Sequence, residues 1–463
     1  MLREGSKIFL KWKKMFKKIL LIFLTLTLIS SYSIADKVSS SFGAKQVTFK
    51  QSAYYAVNID SFNVKEGKPY GGIAPYNNSF IYSNYRGKLY YFYNDLFYKV
   101  DGPLIDVNFD EWLEWRKEET VLLKDFTVKD IFISKFEKNK IFASAIYYNK
   151  DEKCFNLSVF ENLIKFTNKN NISVGEWKRV YETIPCLKLI YARHSPTDPG
   201  AAFNITAAGG RIIETDKDHI LLSVGDFAND GQYNKDYTQD KKAHYGKTIL
   251  INKKSYQSKI FTMGHRNPQG LTLTINNKIY LTEHGPMGGD EINLLKGGGS
   301  NYGWPLATYG VNYNYRNNGH IWPFDANNNN HELLNFEEPL VSFVPSIAAS
   351  QLLEYKGNLF KRWKGDILVG TLVRHRLFRL RIKDNKMIVL DDSLILNKRM
   401  RDLIELEDGR LVVLTELIKK PYVISIDVLS INEKEQKGFP KKTWDDSQGY
   451  IPKHFKWYKD RIK

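Results

Sequence analysis

A short sequence unit recurs along most of the chain, and it constrains the fold more than any other feature. Each copy has a polar turn rich in Gly, Asn, Asp or Lys, followed by a run of β-branched, aromatic and aliphatic residues. Helical periodicity is almost absent after residue 35. A chain of this kind is expected to be almost entirely β-structure. The copies begin at Arg86, Lys138, Asp216, Asn276, Lys364 and Asp408.

The spacing of these units predicts an all-β fold, a six-bladed β-propeller. About six copies are separated by roughly 45 to 90 residues, a range typical of blades that carry long loops. A four-stranded blade cannot bury both of its faces alone, so blades stack around a common axis. The same pattern leaves open a β-sandwich followed by a second all-β domain. The expected domains are a leader at 1–35, the propeller at 36–440 and a basic tail at 441–463.

The first 35 residues have the pattern of a secretory signal peptide. A segment with seven Lys and Arg residues and one Glu precedes an apolar run at 19–29, and small residues follow up to Ala35. This order of segments is typical of a cleaved leader. The run is shorter than the roughly 20 residues of a membrane span. An uncleaved N-terminal anchor is the alternative. The pattern predicts an exported protein in the periplasm or cell envelope, with no membrane span beyond the leader.

The net charge of +17 raises the question of a nucleic-acid partner. About a third of it belongs to the leader, and the remaining lysines are scattered along the chain. The densest cluster lies in the tail, where Asp445, Asp446 and Asp460 interrupt it. No nucleic-acid recognition motif accompanies these charges, so the sequence predicts no nucleic-acid partner. A basic envelope protein that binds acidic polysaccharide through its tail is a further alternative.

The chain has two cysteines, Cys154 and Cys186. There is no CxxC motif and no Cys/His spacing typical of a zinc site. In an exported protein such a pair favours one structural disulfide. Two separate buried thiols are the alternative.

One turn in the middle of the chain places a cation beside two amides. Arg266, Asn267 and Gln269 follow one another around Pro268. An arginine presents forked donors to a carboxylate, and the amides add donors and acceptors. The turn therefore predicts a site for a planar ligand that is anionic or rich in carbonyl groups.

A second turn, just past a predicted strand, combines exposed carbonyls with acidic side chains. Gly285 and Pro286 lie beside Glu283, Asp290 and Glu291. Carbonyl and carboxylate oxygens are the ligands of hard cations such as calcium. His265 and His284, which flank these motifs, are interpreted singly as structural rather than ligating residues.

The order and spacing of these motifs resemble the soluble sugar dehydrogenases that depend on pyrroloquinoline quinone (PQQ), also called the glucose/sorbosone dehydrogenase family. The resemblance runs from about Gly209 to Arg401 and is strongest between Gly264 and Gly310. It implies an exported six-bladed propeller that oxidises an aldose with PQQ and calcium. The partners would be a small-molecule sugar and an external electron acceptor. In this family a histidine takes the proton from the sugar while hydride passes to the quinone.

The resemblance also implies which residues form the site. The positions that match the cofactor-binding residues are Arg266, Asn267, Gln269, Arg399, Arg401, Phe343 and Ser346. The positions that match calcium ligands, the first two through their backbone carbonyls and the others at a further structural site, are Gly285, Pro286, Glu291 and Tyr302.

The chain departs from the family at the catalytic histidine. That histidine lies four residues before the arginine of a Gly-Arg pair, which here is Arg211, so its position is Ala207. The acid often found before the histidine is Thr206. Alanine cannot accept a proton, and a general base contributes about 10² to 10⁴ in rate.

A second departure lies after the strand that ends at Leu372. The family's lysine is replaced by Val373, although Arg374 is adjacent. His265 and His375 are the candidate substitute bases, because they lie within or near the motifs.

Two functions from different classes follow. The first is an exported oxidoreductase that binds PQQ and calcium with an altered or substituted base. The second is a catalytically silent binding propeller that recognises a glycan or a protein. The sequence leaves open the sugar, the electron acceptor, cleavage of the leader and the oligomeric state.

Overall fold

The computed structural model describes most of the chain, and nearly all of its regular structure is β-strand. The described residues are 39–52, 54–65, 71–118, 127–168, 171–188, 207–230, 236–310, 331–418 and 423–436. The predicted leader at 1–35, the predicted tail at 441–463 and Thr206 lie outside them. Within the described part of the chain, no helix is long and apolar enough to cross a membrane.

The strands form six sheets, which confirms the predicted six-bladed propeller. We number each blade by the chain order of its first strand. Blade 1 contains β3 (Gly71–Tyr76), β4 (Ser79–Asn84), β5 (Leu89–Tyr93) and β6 (Leu96–Lys99). Blade 2 contains β7 (Val128–Ile133), β8 (Lys140–Asn149), β9 (Cys154–Asn168), β10 (Asn171–Val174), β11 (Lys178–Glu182) and β12 (Leu187–Lys188). Blade 3 contains β13 (Gly209–Glu214), β14 (His219–Val224), β15 (Lys247–Asn252), β16 (Ser258–Met263) and β20 (Ser300–Asn301).

The other three blades follow the same plan. Blade 4 contains β17 (Pro268–Leu273), β18 (Ile279–Glu283), β19 (Asp290–Leu295) and β21 (Val341–Phe343). Blade 5 contains β22 (Ala349–Glu354), β23 (Ile367–Thr371), β24 (Arg376–Lys383) and β25 (Lys386–Ile395). Blade 6 contains β26 (Lys398–Glu405), β27 (Leu411–Leu417), β28 (Ile424–Ile431), β2 (Ala56–Val64) and β1 (Gln46–Gln51). Outside the sheets lie α1 (Phe109–Glu118), α2 (Glu433–Gln436) and a 3₁₀ turn (Lys361–Trp363).

The recurring turn units lead into the second strand of blades 2 to 6, but the unit at Arg86 leads into the third strand of blade 1. The second strand of blade 1 is entered instead through Asn77 and Asn78, with φ angles of 48° and 57°. Positive φ at both central residues is typical of a two-residue hairpin turn. Such a turn is too short to carry the longer polar pattern of the other units.

The first strand of each blade lines the propeller axis. These inner strands contact one another in the ring order β3, β7, β13, β17, β22, β26 and back to β3. The last residues of all six strands line one cavity. We call that end of the axis the bottom, and the end where the inner strands begin the top.

Aromatic side chains fill much of the space between blades, which explains their high frequency in the sequence. Between blades 6 and 1, Phe62 of β2 meets Phe92 of β5 with ring centroids 5.2 Å apart. Phe80 of β4 stacks on the same Phe92 at 4.7 Å. All three rings are buried, so this interface is a continuous apolar layer that fixes the angle between two blades.

Blade 6 is assembled from both ends of the described chain. β2 lies between β1 and β28 and pairs antiparallel with both. Its register with β28 runs over eight residue pairs, from Val57 opposite Ile431 to Val64 opposite Ile424. Backbone hydrogen bonds between the two ends therefore close the ring.

The predicted disulfide is confirmed. Cys154 and Cys186 are bonded, with an S–S distance of 2.01 Å. Cys154 is the first residue of β9, and Cys186 directly precedes β12, which pairs with β9 at Phe155 and Leu187. The bond therefore holds the short strand β12 against its sheet.

Candidate functional site

Arg266 lies at the top of blade 4, in the turn that connects β16 to β17. Its Nη1 donates to the carbonyl oxygens of Gly285 at 2.9 Å and His284 at 3.2 Å. The guanidinium lies 5.3 Å from the ring centroid of Trp304. Its Nε has no hydrogen-bond partner among the described residues. The cation is thus fixed from two sides while one donor is left for a ligand.

The two amides of the same turn are linked to each other. Gln269 Nε2 donates to Asn267 Oδ1 at 2.7 Å, so each amide orients the other. The carbonyl oxygen of Gln269 accepts a hydrogen bond from Arg211 Nε at 2.9 Å. The turn therefore holds the Asn267 and Gln269 amides together beside Arg266.

The second predicted arginine pair lies on the inner strand of blade 6. Arg399 Nε and Arg401 Nη2 both contact Glu416 Oε2, at 3.2 and 2.7 Å. Glu416 belongs to β27 and is buried. The two guanidinium groups therefore share one carboxylate oxygen at the top of blade 6.

Ala207 lies directly before the inner strand of blade 3 and is buried. It packs closely on Gly225, where an added Cβ would lie 1.9 Å from the Ala207 carbonyl oxygen. That oxygen accepts a backbone hydrogen bond from Phe227 at 3.3 Å. The position contributes a methyl group and a carbonyl to the site, and no side chain that exchanges a proton.

Of the two candidate bases, His265 does not suit the role. It is fully buried; Nε2 lies 2.8 Å from Thr262 Oγ1, and Nδ1 lies 2.9 Å from Glu283 Oε1. Its ring stacks on Tyr302 with centroids 4.8 Å apart. With both nitrogens engaged inside the protein, His265 braces the turn and has no free nitrogen for a ligand.

His375 remains a candidate for the base. It lies in the tight turn between β23 and β24, with φ of 56°, and its side chain is only partly buried. Partial burial and the nearby Arg399 guanidinium lower the pKa of its imidazole. A neutral imidazole beside the arginine pair is able to accept a proton. The neighbouring Val373 and Arg374 are exposed.

His284 is a site residue whose position the sequence did not predict. Its backbone carbonyl holds Arg266, and burial lowers the pKa of its imidazole. Its Nε2 is buried and has no hydrogen-bond partner among the described residues. A histidine between Glu283 and Gly285 was the only signal, and burial could not be inferred from it.

The acidic turn on blade 4 encloses a small cavity. Its volume is about 10 Å³, close to the roughly 10–15 Å³ that a single water needs. Asn293 Nδ2 bridges Glu283 Oε1 at 2.8 Å and Glu291 Oε2 at 3.2 Å. Burial and the neighbouring Glu283 carboxylate raise the pKa of Glu291 well above its usual value. The cavity therefore lies between these two acidic side chains and Arg266, and it has room for one small ion. Its lining includes Gly285, Gly289, Glu283, Glu291, Tyr302 and Thr308.

The other predicted calcium positions are less open. The Gly285 carbonyl oxygen already accepts a hydrogen bond from Arg266 Nη1. The neighbouring Pro286 is buried. The Tyr302 hydroxyl donates to the Leu294 carbonyl at 2.6 Å, so the tyrosine lines the cavity without offering its hydroxyl. Across the described residues, the only three His, Cys, Asp or Glu side chains with converging ligand atoms are Glu152 and the two disulfide cysteines. A cation at Glu291 would therefore depend on backbone carbonyls.

Asp290 organises the residues predicted to lie over the cofactor. Its Oδ2 accepts hydrogen bonds from Ser346 Oγ at 2.6 Å, Ile347 N at 2.9 Å and Ala348 N at 2.6 Å. Phe343 pairs with Asp290 in the sheet. Its half-buried ring packs against the apolar cluster between blades 4 and 5. Ser346 therefore lies at the top with its hydroxyl committed to Asp290, and Phe343 helps to anchor this loop.

Beneath the arginines, three charged side chains close the axis; we call them the axial layer. Arg211 Nη1 contacts Asp402 Oδ1 at 2.8 Å and Asp130 Oδ1 at 3.2 Å. Asp130 Oδ2 accepts a hydrogen bond from Ile212 N at 2.9 Å. Asp402 Oδ2 accepts one from Ile73 N, also at 2.9 Å. All three charged groups are buried. The layer ties together blades 1, 2, 3 and 6, and separates the top site from the bottom cavity.

In comparisons with known proteins, the chain matches one protein family. A profile of the family described as Glucose / Sorbosone dehydrogenase matches residues 159–421. The chain is similar to the aldose sugar dehydrogenase YliI of Escherichia coli, with 30% identity over 226 residues, which are 45% of this chain and 57% of that protein. It is also similar to quinoprotein glucose dehydrogenase B of Acinetobacter calcoaceticus, with 32% identity over 206 residues, which are 34% and 43% of the two chains. The chain spans about half the length of the curated relatives it matches.

Solved structures share the fold over a longer stretch. The soluble aldose sugar dehydrogenase of Escherichia coli in its apo-form aligns with 84% of this chain and 100% of its own, with a TM-score of 0.59 and 21% identity. The PQQ-bound aldose sugar dehydrogenase of Streptomyces coelicolor aligns with 84% of this chain and 98% of its own, with a TM-score of 0.56 and 17% identity. At these identities the likeness concerns the fold alone.

Proposed function

Because the chain belongs to the glucose/sorbosone dehydrogenase family, we propose that it is a sugar oxidoreductase that binds PQQ and calcium at the top of the propeller axis. The observation that carries the proposal is the group of guanidinium ions, Arg266, Arg399 and Arg401, around the start of the inner strands. The second and third of these share the buried carboxylate of Glu416, and the first is held by two backbone carbonyl oxygens. A cofactor with several carboxylates would balance the remaining charge.

The top residues suit a flat, anionic cofactor. Arg266 has a buried Nε without a partner among the described residues, and the linked amides of Asn267 and Gln269 offer further polar atoms. When bound, the quinone would supply the acceptor for the hydride, with its two electrons, that leaves the sugar. The protein would bind it, orient it and balance its charge.

A calcium ion fits the acidic side of the site better than its arginine side. The adjacent carboxyl groups of Glu283 and Glu291 and the ion-sized cavity beside them favour a hard cation with backbone carbonyl ligands, because a cation there would stabilise the ionised form of Glu291. At the Gly285 carbonyl, the ion would have to share the oxygen with Arg266.

Removal of the sugar's hydroxyl proton is the step for which this chain lacks the family's residue. Ala207 cannot hold a proton, and both nitrogens of His265 are engaged. We assign the role of acceptor to a ring nitrogen of His375, whose imidazole is favoured in its neutral form by its surroundings. A base that is less well placed than the family histidine should give slow turnover rather than none.

Reconstitution tests the proposal directly. The chain would be mixed with calcium and PQQ, and the quinone absorbance followed before and after addition of a panel of aldoses. We expect micromolar quinone uptake and slow bleaching with at least one aldose. The variant Arg266→Met should bind the quinone at least tenfold more weakly, whereas Arg410→Met, at the exposed pair with Asp408, should not change binding. Absence of uptake at micromolar quinone would overturn the proposal.

One observation favours a second function, a catalytically silent propeller that binds a glycan or a protein. The family's proton acceptor is replaced by a buried methyl group at Ala207. Quinone binding without bleaching by any aldose would identify a carrier or sensor. Glycan binding without quinone uptake would identify a binding module.

We also propose that the protein is exported to the periplasm or cell envelope. The leader-like sequence at 1–35 and the disulfide between Cys154 and Cys186 both support an oxidising compartment. Fractionation of cells that produce the full chain, followed by N-terminal sequencing, tests this. Recovery from the cytoplasm with an intact N-terminus would contradict it.

A further inference from the structure

The bottom of the axis holds a cavity of about 660 Å³ that no part of the proposed chemistry uses. It is lined by the second halves of all six inner strands and by the turns that follow them. Asp130 and Asp402 of the axial layer form its inner end. The cavity therefore lies on the bottom side of these two carboxyl groups. Cavities of roughly 300–1,000 Å³ are typical of small-molecule sites.

Most acidic groups in this cavity are already satisfied by the protein. The Glu214 carboxylate accepts a hydrogen bond from Lys135 N at 2.9 Å and forms a buried ion pair with Lys253. Glu354 accepts Ile275 N at 2.6 Å. Glu405 accepts Lys356 N at 2.8 Å. These carboxylates each join one blade to its neighbour, so they belong to the scaffold.

A second set of polar groups lines the cavity without such partners. Gln351 Oε1 accepts Leu271 N at 3.0 Å and Leu352 N at 3.2 Å, while its Nε2 makes no hydrogen bond within the described structure. The Thr272 hydroxyl on the adjacent inner strand has none there either. Donors and acceptors thus lie side by side deep in the cavity. At its rim, the side chains that make no ion pair or hydrogen bond to described residues are Asn78, Lys135, Lys138 and Glu407.

The cavity also has an apolar wall. Phe132 of β7 is half-buried and lines it, between the axial layer at Asp130 and the rim at Lys135. A sugar ring presents hydroxyl groups at its edge and C–H groups on its faces. Vicinal hydroxyls each donate and accept, which matches a wall of mixed amide, hydroxyl and charged groups better than a single-sign cluster does.

We propose that the bottom cavity is a second binding site, for a neutral saccharide of one or two rings. Phe132 contacts the face of a ring, Gln351 and Thr272 bind hydroxyls near the axial layer, and the rim lysines and Glu407 bind those nearer solvent. Strong preference for an anion is not expected, because Glu407 lies on the same rim as Lys135 and Lys138. The site is independent of the top site, since the axial layer lies between them.

The test is titration of the full chain, without PQQ, with maltose, cellobiose and lactose, followed by saturation-transfer NMR and calorimetry. At least one of the three should bind with a millimolar or lower Kd. Phe132→Ala and Lys135→Met should each raise that Kd at least fivefold. Lys254→Met, which changes an exposed lysine on blade 3, and Arg266→Met at the top should leave it unchanged.

Three results would overturn the proposal: no binding of any of the three sugars, binding abolished by Arg266→Met but not by the bottom variants, or glucuronate binding more than tenfold tighter than its neutral counterpart glucose. Because Phe132→Ala removes part of a packed side chain, Lys135→Met keeps the test valid if the first variant fails to fold. Unchanged affinity in a folded Lys135→Met together with a folded Gln351→Ala also contradicts it.

Discussion

The two ends of the propeller axis are built from the same six strands, but they handle charge in opposite ways. At the top, Arg399 and Arg401 share the Glu416 carboxylate, and Arg266 is held by the backbone carbonyl oxygens of His284 and Gly285. At the bottom, carboxylates such as Glu354 and Glu405 accept backbone N–H groups of the neighbouring blade. The top therefore has charge available for a ligand, whereas most bottom carboxylates are used to join blades.

Residues at the two ends are therefore expected to affect different properties, function at the top and stability at the bottom. Several top residues, such as Arg266 and Ser346, lie in loops that precede the inner strands, and loops tolerate change without loss of the sheet. Bottom carboxylates sit at the strand ends, where a lost partner leaves a buried N–H without an acceptor. Substitutions at the top should change chemistry, and those in the axial layer and below it should change stability.

The largest effect is expected from Ala207→His at the top. Restoring a proton acceptor at this position should raise the bleaching rate of bound quinone by aldose by about 10² to 10⁴. Ala207→Phe is the matched control, because it adds similar bulk at this buried position without a basic nitrogen. Stopped-flow absorbance measures the rate. A folded, quinone-loaded Ala207→His that is no faster than the parent protein would show that the site lacks more than a base.

The next largest effect is expected from Arg211→Met in the axial layer. The change leaves Asp130 and Asp402 buried without their cation, which should cost about 3–5 kcal/mol in free energy of unfolding. Urea denaturation measures the loss. Arg410→Met breaks an exposed pair with Asp408 and should cost less than about 1 kcal/mol. Equal losses in the two variants would mean that the axial layer does not hold the ring together.

A smaller effect is expected from Glu354→Ala at the bottom. The Ile275 amide, which donates to Glu354 at 2.6 Å, loses its acceptor, and the cost should be about 1–3 kcal/mol. Glu354→Gln keeps an acceptor oxygen and should lose less than half as much. Thermal and urea unfolding of the two variants compare them. A Gln variant as unstable as the Ala variant would point to the charge, through Lys356 at 3.8 Å, rather than to the hydrogen bond.

A further effect, spread over several pH units, is a pH dependence set by Asp130. Burial and the Asp402 carboxylate raise its pKa to about 7, although Arg211 opposes them. The folded protein then keeps a proton that the unfolded chain releases above about pH 4. The stabilisation is complete below that pH and is lost as the pH rises towards 7. Asp130→Asn should flatten this decline by at most roughly 1.4 kcal/mol per pH unit. Unfolding free energies at pH 4.5 to 7.5 test it; parallel profiles for the two proteins would contradict the assignment.

The sequence was sufficient for the fold and for one covalent link. Turn-and-strand units are local signals, so they could be counted without knowing the packing, and the family resemblance agrees with the architecture. The Cys154–Cys186 bond followed from there being two cysteines and a leader-like segment. The roles assigned to single residues at the top stay predictions, because they depend on a bound ligand as well as on the fold.

The sequence could not predict which charges meet across the axis. Asp130, Arg211 and Asp402 come from three blades far apart in the chain, and each lies in an ordinary strand pattern. In the sequence, Arg211 indicated only the position of Ala207, four residues earlier. The burial of His265, which removes it from the candidate bases, depends on Thr262 and Glu283 packing around it in the folded chain. Such contacts are set by the ring and not by neighbouring residues in sequence.

Assembly of blade 6 from both chain ends has a consequence for timing. β2 is among the first strands to be made, yet its partner β28 is among the last. At a synthesis rate of roughly 5–20 residues per second, β2 waits on the order of 20–70 seconds for β28. During that interval one of its edges is open to other chains, with only β1 able to pair with the opposite edge. The nascent protein is therefore vulnerable to wrong strand pairing until β28 is made, and a binder of extended segments would act during that interval.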